Sequence, residues 1–173
     1  MKKFLLVIFA ALFVTGAFAQ NWSVGARAGS GFQAVGLYDY SDKCYVEARF
    51  GAGWTNTHIY YDFWGKWAET PLSADFTVLH NWRVLEFDWT PDAGKWNFDA
   101  GVGVNVGGRE TWAYVGAAGM ARLSFTFNDF PLTLGVDWTP SFGPSINYTK
   151  GYNEAYFNYH ALANVGVTAT WRF

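Results

Sequence analysis

The last seventeen residues sort cleanly by parity. Odd positions read Phe157, Tyr159, Ala161, Ala163, Val165, Val167, Ala169, Trp171 and Phe173, all apolar. Even positions read Asn158, His160, Leu162, Asn164, Gly166, Thr168, Thr170 and Arg172, and only Leu162 is aliphatic. Side chains in a strand alternate faces, whereas a helix would mix the two sets. The pattern predicts a long strand over 157–173 with one apolar and one polar face. It does not say which face meets solvent.

The same alternation recurs along the chain. Trp22, Val24, Ala26 and Ala28 oppose Ser23, Gly25, Arg27 and Gly29. Phe32 to Tyr40 reads as a second strand whose two faces are not resolved by the pattern. Val46, Ala48, Phe50, Ala52 and Trp54 oppose Tyr45, Glu47, Arg49, Gly51 and Gly53. Residues 74–89 form a strand whose alternation slips near Trp82-Arg83, as a bulge would cause. Trp96 to Val106 sets six apolar even positions against Asn97, Asp99, Gly101, Gly103 and Asn105. Residues 112–127 place Tyr114, Gly116, Met120, Arg122, Ser124 and Thr126 on one side. Leu132, Leu134, Val136 and Trp138 oppose Thr133, Gly135, Asp137 and Thr139, and Pro140 ends or kinks that strand. About eight strands result, joined by short turns and by two longer loops, 56–73 and 143–154.

The N-terminus changes the picture. Lys2 and Lys3 precede an apolar run from Phe4, and Ala17-Phe18-Ala19 precedes Gln20. This is the pattern of a cleaved secretory signal peptide over 1–19. The remainder, 20–173, has the length of one domain. No Cys marks the cleavage site as a lipoprotein's would, and the lone Cys44 offers no internal disulfide. Past residue 20, no apolar run approaches the roughly 20 residues of a membrane helix.

An even set of antiparallel strands points to a closed barrel. In a soluble barrel the apolar face is inside; in a membrane barrel it faces lipid and the polar face fills the lumen. Lysine usage favours the second. After the leader, Lys43, Lys66, Lys95 and Lys150 all fall in turns, loops or strand ends. The polar strand faces carry Gly, Ser, Thr and Asn with a few charges, among them Arg27, Glu47, Arg49, Asp99, Arg122, Asp137 and Arg172. These seven are expected to point inward and pair, because buried charges need partners. The expected fold is all-β, an eight-stranded antiparallel up-and-down transmembrane barrel. Both long loops are odd-numbered connections, which places them outside if the N-terminus lies inside. Trp89, Trp96, Phe125 and Phe127, with Trp54, Phe142 and Phe157 at the opposite strand ends, are expected to form aromatic girdles at the two bilayer boundaries.

These features resemble the small eight-stranded outer-membrane barrels of Gram-negative bacteria, the OmpA/OmpX-like class. The resemblance is architectural and covers the mature chain; stretches such as "AGKWNFDAGVGVNVGGRE" are also similar to outer-membrane β-barrel domain proteins. In that class a C-terminal strand ending in Phe is recognised by the outer-membrane assembly machinery. Val165, Val167, Ala169, Trp171 and Phe173 match that pattern, so the resemblance implies an assembly signal there.

Candidate chemistry is sparse. A net charge of −2 gives no case for nucleic acid. No Cys/His set has metal-ligand spacing, and the Gly-rich end of "GVGVNVGGRE" opens no helix that could hold phosphate. None of His58, His80 or His160 has a Ser two residues away, as a lipid A deacylase-like strand would require. An omptin-like protease would want Asp and His pairs at the outer rim; His58, Asp62 and His160 are scattered. No catalytic residue, cofactor or metal is therefore assigned. The expected role is a structural, adhesive or recognition barrel in the outer membrane, with lipid and the assembly machinery as partners and an extracellular ligand at the loops. A lipid-modifying or proteolytic enzyme of the small-barrel type is the alternative. An open pore fits less well, because eight strands enclose little more than their own side chains.

Overall fold

The structure is a computed structural model that describes residues 21–54, 58–62, 65–69, 72–90, 92–149, 152–158 and 160–173. The proposed signal peptide lies outside the described residues. Among the described residues twelve strands follow in order: β1 (Trp22–Gly29), β2 (Gly31–Ser41), β3 (Cys44–Gly53), β4 (His58–Asp62), β5 (Gly65–Glu69), β6 (Ser73–Phe87), β7 (Gly94–Arg109), β8 (Trp112–Phe127), β9 (Leu132–Trp138), β10 (Ser141–Thr149), β11 (Tyr152–Asn158) and β12 (Val165–Arg172). A single-turn 3-10 helix, His160–Ala163, links β11 to β12.

Eight of these strands close a ring. β1 pairs with β2, β2 with β3, β3 with β6, and β6 with β7. β7 then pairs with β8, β8 with β9, β9 with β12, and β12 returns to β1. Every pairing is antiparallel, so the architecture is a closed eight-stranded antiparallel barrel. β10 extends β9 along the same edge of β8, from Ser141↔Ala118 to Asn147↔Trp112, and carries β11 as a hairpin partner. Trp22 and Phe173 lie at one end, here the terminal end, and the Phe173 amide donates to the Trp22 carbonyl across the seam at 3.1 Å. The opposite, distal end carries the β1–β2, β3–β6, β7–β8 and β10–β11 connections.

The alternation sets the two surfaces. Phe32, Phe50, Val102, Val104, Val115, Val136, Val165 and Val167 are exposed on the outer wall, while Arg27, Glu47, Arg49, Asp75, Asn81 and Asp137 are buried inside. Apolar side chains thus face outward and polar ones inward. β2, which the pattern left open, turns Phe32, Ala34, Tyr38 and Tyr40 out and Gln33 and Val35 in. The wall is pleated one residue out of step at two places, at Tyr40 in the β2–β3 pairing and in the β6–β7 pairing. The register with β7 shifts between Arg83 and Leu85, so Val84 is the extra residue of a bulge, one position beyond the slip read from the sequence.

Three expectations need correction. The terminal strand does not span 157–173: β12 begins at Val165, and His160–Ala163 is helical. The small residues Ala161 and Ala163 fit either conformation, so the alternation carried no information there. The loop expected over 143–154 is largely the β10–β11 hairpin, paired from Gly143↔Asn158 to Thr149↔Tyr152. Within 56–73 lies a separate two-stranded sheet, β4 and β5, with Tyr60 opposite Trp67 in register. Pro140 does interrupt the strand, but Ser141 resumes on the same β8 register.

Candidate functional site

Among the described residues, the barrel interior buries Arg27, Glu47, Arg49, Asp75, Asp99, Arg122 and Asp137. Its middle is a belt of three guanidinium groups around two carboxylates. Arg27 Nε donates to both carboxylate oxygens of Asp137, at 2.8 and 3.1 Å. Arg49 Nε meets Glu47 Oε1 at 2.6 Å, and its Nη1 reaches Asp137 Oδ1 at 3.3 Å and Thr139 Oγ1 at 2.9 Å. Arg122 Nη2 donates to the same Glu47 oxygen at 2.7 Å. Hydroxyls of Thr139 and Thr168 donate to Asp137 at 2.9 and 2.7 Å, and Asn81 donates to Glu47 at 3.3 Å. The belt joins β1, β3, β6, β8, β9 and β12.

Three arginines against two carboxylates leave one surplus positive charge, and the network passes it toward the distal end. Arg27 Nη1 donates to the Gln33 amide oxygen at 3.3 Å, while the Gln33 amide nitrogen donates to Asp75. Asp75 also accepts from Asn105 at 2.7 Å and from Thr77 at 3.3 Å. The Gln33 amide therefore couples a cation on one side to an anion on the other. Such relays let a buried charge be offset without direct contact. Nearby, Leu79, Ala118 and Met120 form a small apolar layer inside the barrel.

Two inward glycines make space for the arginines. A Cβ at position 166 would stand 2.5 Å from Arg27 Cζ, and one at 135 would stand 3.2 Å from Arg122 Cδ. Any side chain at 166 would push the guanidinium off Asp137.

Toward the terminal end, Tyr45 donates to Asp99 Oδ2 at 2.9 Å and receives a bond from Arg122 Nη1 at 3.4 Å. Arg83 lies over the Tyr45 ring, 5.4 Å from its centre, and pairs with Asp39 at 2.5 Å. Arg172 completes this rim group, 3.8 Å from the other Asp39 oxygen. Of the seven charges expected inside, the structure brings Arg27, Glu47, Arg49, Arg122 and Asp137 into one ion-paired set. Asp99 sits beside it through Tyr45. Arg172 stands apart at the rim, its side chain half-exposed.

Sequence reasoning did not select Gln33, Tyr45, Asp75, Asn81, Asn105, Thr139 or Thr168 as network members, nor Asn164, whose Oδ1 accepts from Arg27 Nη2 at 3.0 Å. Parity already put Tyr45 on the Glu47 face and Asn105 on the Asp99 face. What parity lacks is the level of each residue along the barrel axis.

On the outer wall the expected girdle residues do face outward. At the terminal end Phe87, Trp89, Trp96, Phe125, Phe127 and Phe130 form an unbroken arc, each ring 4.5–5.7 Å from the next. At the distal end Phe32 meets Trp54, and Phe142 meets Phe157, each at 6.4 Å. His80 is also on the outer wall, within 3.1 Å of the Tyr40 hydroxyl and against Trp82. His58 lies in β4 and His160 in the 3-10 helix, and their side chains fall outside the described residues. Val165, Val167 and Trp171 of the expected assembly signal are exposed on the outer wall, as is Phe173 in part. Among the described residues, no three His, Cys, Asp or Glu side chains gather as a metal site. Neither protein-family models nor curated proteins give a match to this chain.

Proposed function

We propose that the chain is an exported outer-membrane protein whose barrel spans the bilayer and presents the distal hairpins at the cell surface for adhesion or recognition. The observation that supports this reading is the inversion of the two faces. A barrel with Phe, Val, Trp and Ala outside and an ion-paired interior suits lipid rather than water. Burying apolar surface contributes about 25 cal/mol per Å², and in water this wall would leave that contribution unused. The aromatic arc at the terminal end and the Phe32–Trp54 and Phe142–Phe157 pairs fit the two headgroup boundaries, where amphipathic rings are favoured. The ion-paired belt across the lumen argues for an anchoring rather than a conducting role. Under this reading 1–19 is the removed leader, the terminal end faces the periplasm, and the β4–β5 and β10–β11 hairpins face outward.

The test is fractionation of cells expressing the full chain, followed by protease treatment before and after permeabilising the outer membrane. The reading expects the protein in the outer-membrane fraction, with gel mobility that changes on boiling. Cleavage between residues 54 and 72 should occur in intact cells. Recovery in the soluble periplasmic fraction would defeat the membrane reading, and cleavage only after permeabilisation would defeat the orientation.

A further inference from the structure

Below the ion-paired belt the lumen is not filled. A cavity of about 70 Å³ lies at the terminal end, and six hydroxyl residues line it: Ser23, Ser124, Thr126, Thr133, Thr168 and Thr170. Its inner end is formed by Tyr45, Asp99 and Arg122, and Asp39, Arg83 and Arg172 also border it. Those last three residues are shared with a groove on the terminal rim that includes Asn21, Ser41 and Asp42, so the cavity mouth lies at that end.

Two buried polar atoms at the inner end have no protein partner. Asp99 uses Oδ2 for the Tyr45 hydroxyl, but Oδ1 accepts nothing. Arg122 commits both terminal nitrogens, to Tyr45 and Glu47, but its Nε donates to nothing. Asp99 and Arg122 are direct register partners on β7 and β8. Both side chains line the cavity, and an unpartnered buried atom on each is a cost that a nearby water or solute can relieve.

We propose that this cavity is a blind, hydrated vestibule that binds water and small neutral hydrogen-bonding solutes through the Asp99 and Arg122 side chains and the hydroxyl walls, with entry from the terminal end only. The volume is several times the roughly 10–15 Å³ that a cavity needs to hold a water. Its charges favour neutral occupants. An anion would face Asp99 and Asp39, and a cation would face Arg83, Arg122 and Arg172. The belt of Glu47, Arg49 and Asp137 closes the inner end, so the vestibule is a pocket and not a channel.

Thiol mapping of the folded barrel in detergent micelles tests this, whatever the barrel's orientation in cells. The lone Cys44 is first replaced by Ser. Single cysteines are then placed at Ser124 and Thr168 on the cavity wall, at Ser145 within the packed lumen, and at Asp92 in an exposed turn. The probe is methyl methanethiosulfonate, which is small and uncharged. Ser124 is 4% exposed and Ser145 0% exposed, so simple burial predicts near-equal protection. The vestibule predicts instead that Ser124→Cys and Thr168→Cys react about a hundredfold faster than Ser145→Cys, the gap between a solvent-reached thiol and one exposed only by local opening. Adding Thr126→Phe near the mouth should slow the wall cysteines about tenfold and leave Asp92→Cys unchanged. Each variant must first show the heat-sensitive mobility of the folded barrel. With two wall positions, misfolding of one still leaves the other to decide. Equal rates at the wall and at Ser145 would overturn the vestibule. An unchanged wall rate with Thr126→Phe would overturn entry from the terminal end.

Discussion

Asp137 is the carboxylate on which the lumen belt depends most. It accepts from Arg27, Arg49, Thr139 and Thr168, and Arg122 lies 3.9 Å from its second oxygen. Its side chain is fully buried. Asp137→Ala would leave three arginines facing Glu47 alone, raising the local surplus from one positive charge to two. Removing one partner of a buried pair costs about 3–5 kcal/mol. The two threonine hydroxyls can rotate to other acceptors and so add little. The expected loss is therefore about 4 kcal/mol. Asp137→Asn keeps the shape and one acceptor but not the charge, and should cost about 2 kcal/mol, the range of a hydrogen bond to a charged group.

Urea unfolding in phospholipid vesicles, followed through the fluorescence of the ten tryptophans, measures both losses. Asp92→Ala, in an exposed turn, sets the baseline at about ±0.5 kcal/mol. Adding Arg27→Met to Asp137→Ala removes one of the stranded charges and should recover part of the loss. That sign is the sharper test, because a purely steric defect would grow worse with a second lumen substitution. An Asp137→Ala barrel within about 0.5 kcal/mol of wild type, or an additive double variant, would refute the argument.

Three further outcomes follow from the same geometry. Gly166→Val should destabilise by about 2–4 kcal/mol, because its side chain takes the space of the Arg27 guanidinium, and the same unfolding assay reads the loss. Purified wild-type protein in planar bilayers should pass no steady ion current, since the Glu47–Arg49–Asp137 belt crosses the lumen; stable open channels would contradict this. Deleting Phe173 removes a rim ring and one seam hydrogen bond to Trp22, and should cost about 1–2 kcal/mol in refolding experiments. If the terminal strand is also an assembly signal, the same deletion should reduce the heat-modifiable membrane fraction in cells far more than it weakens the refolded barrel; equal defects would reduce Phe173 to a stability residue.

The chain announces its faces clearly, and the reason is physical. Each barrel strand divides two unlike environments, so parity alone separates Arg27 from Ala26 and Asp137 from Val136. The reading failed where that contrast is weak. In β2 the inward positions include Val35 and Leu37 and the outward ones include Ala34 and Gly36, so both faces look apolar. In 160–163 the small residues mimic alternation while the backbone turns. The expected loop over 143–154 carries glycine, proline and asparagine, yet β10 remains paired to β8 as far as Asn147. The ion pairs were not legible at all beyond their common face. Arg27 and Asp137 are 110 residues apart, and only the stagger of strands around the ring brings them to one level.

That stagger gives the network a structural role distinct from its net energy. A slip of one residue between neighbouring strands would turn the apolar set inward and is excluded by burial alone. A slip of two residues keeps every face correct, so the hydrophobic pattern cannot reject it. It would, however, move each inward side chain by roughly 6–7 Å along its strand. Arg27 would leave Asp137, Arg122 would leave Glu47, and the clearances at Gly166 and Gly135 would pass to the wrong neighbours. Each lost pair would leave buried charges exposed to one another at several kcal/mol. The lumen charges thus discriminate between registers that the outer wall treats as equivalent. This gives a barrel interior crossed by an ion-paired belt a reason to carry charged residues where well-packed apolar ones would fill the same volume.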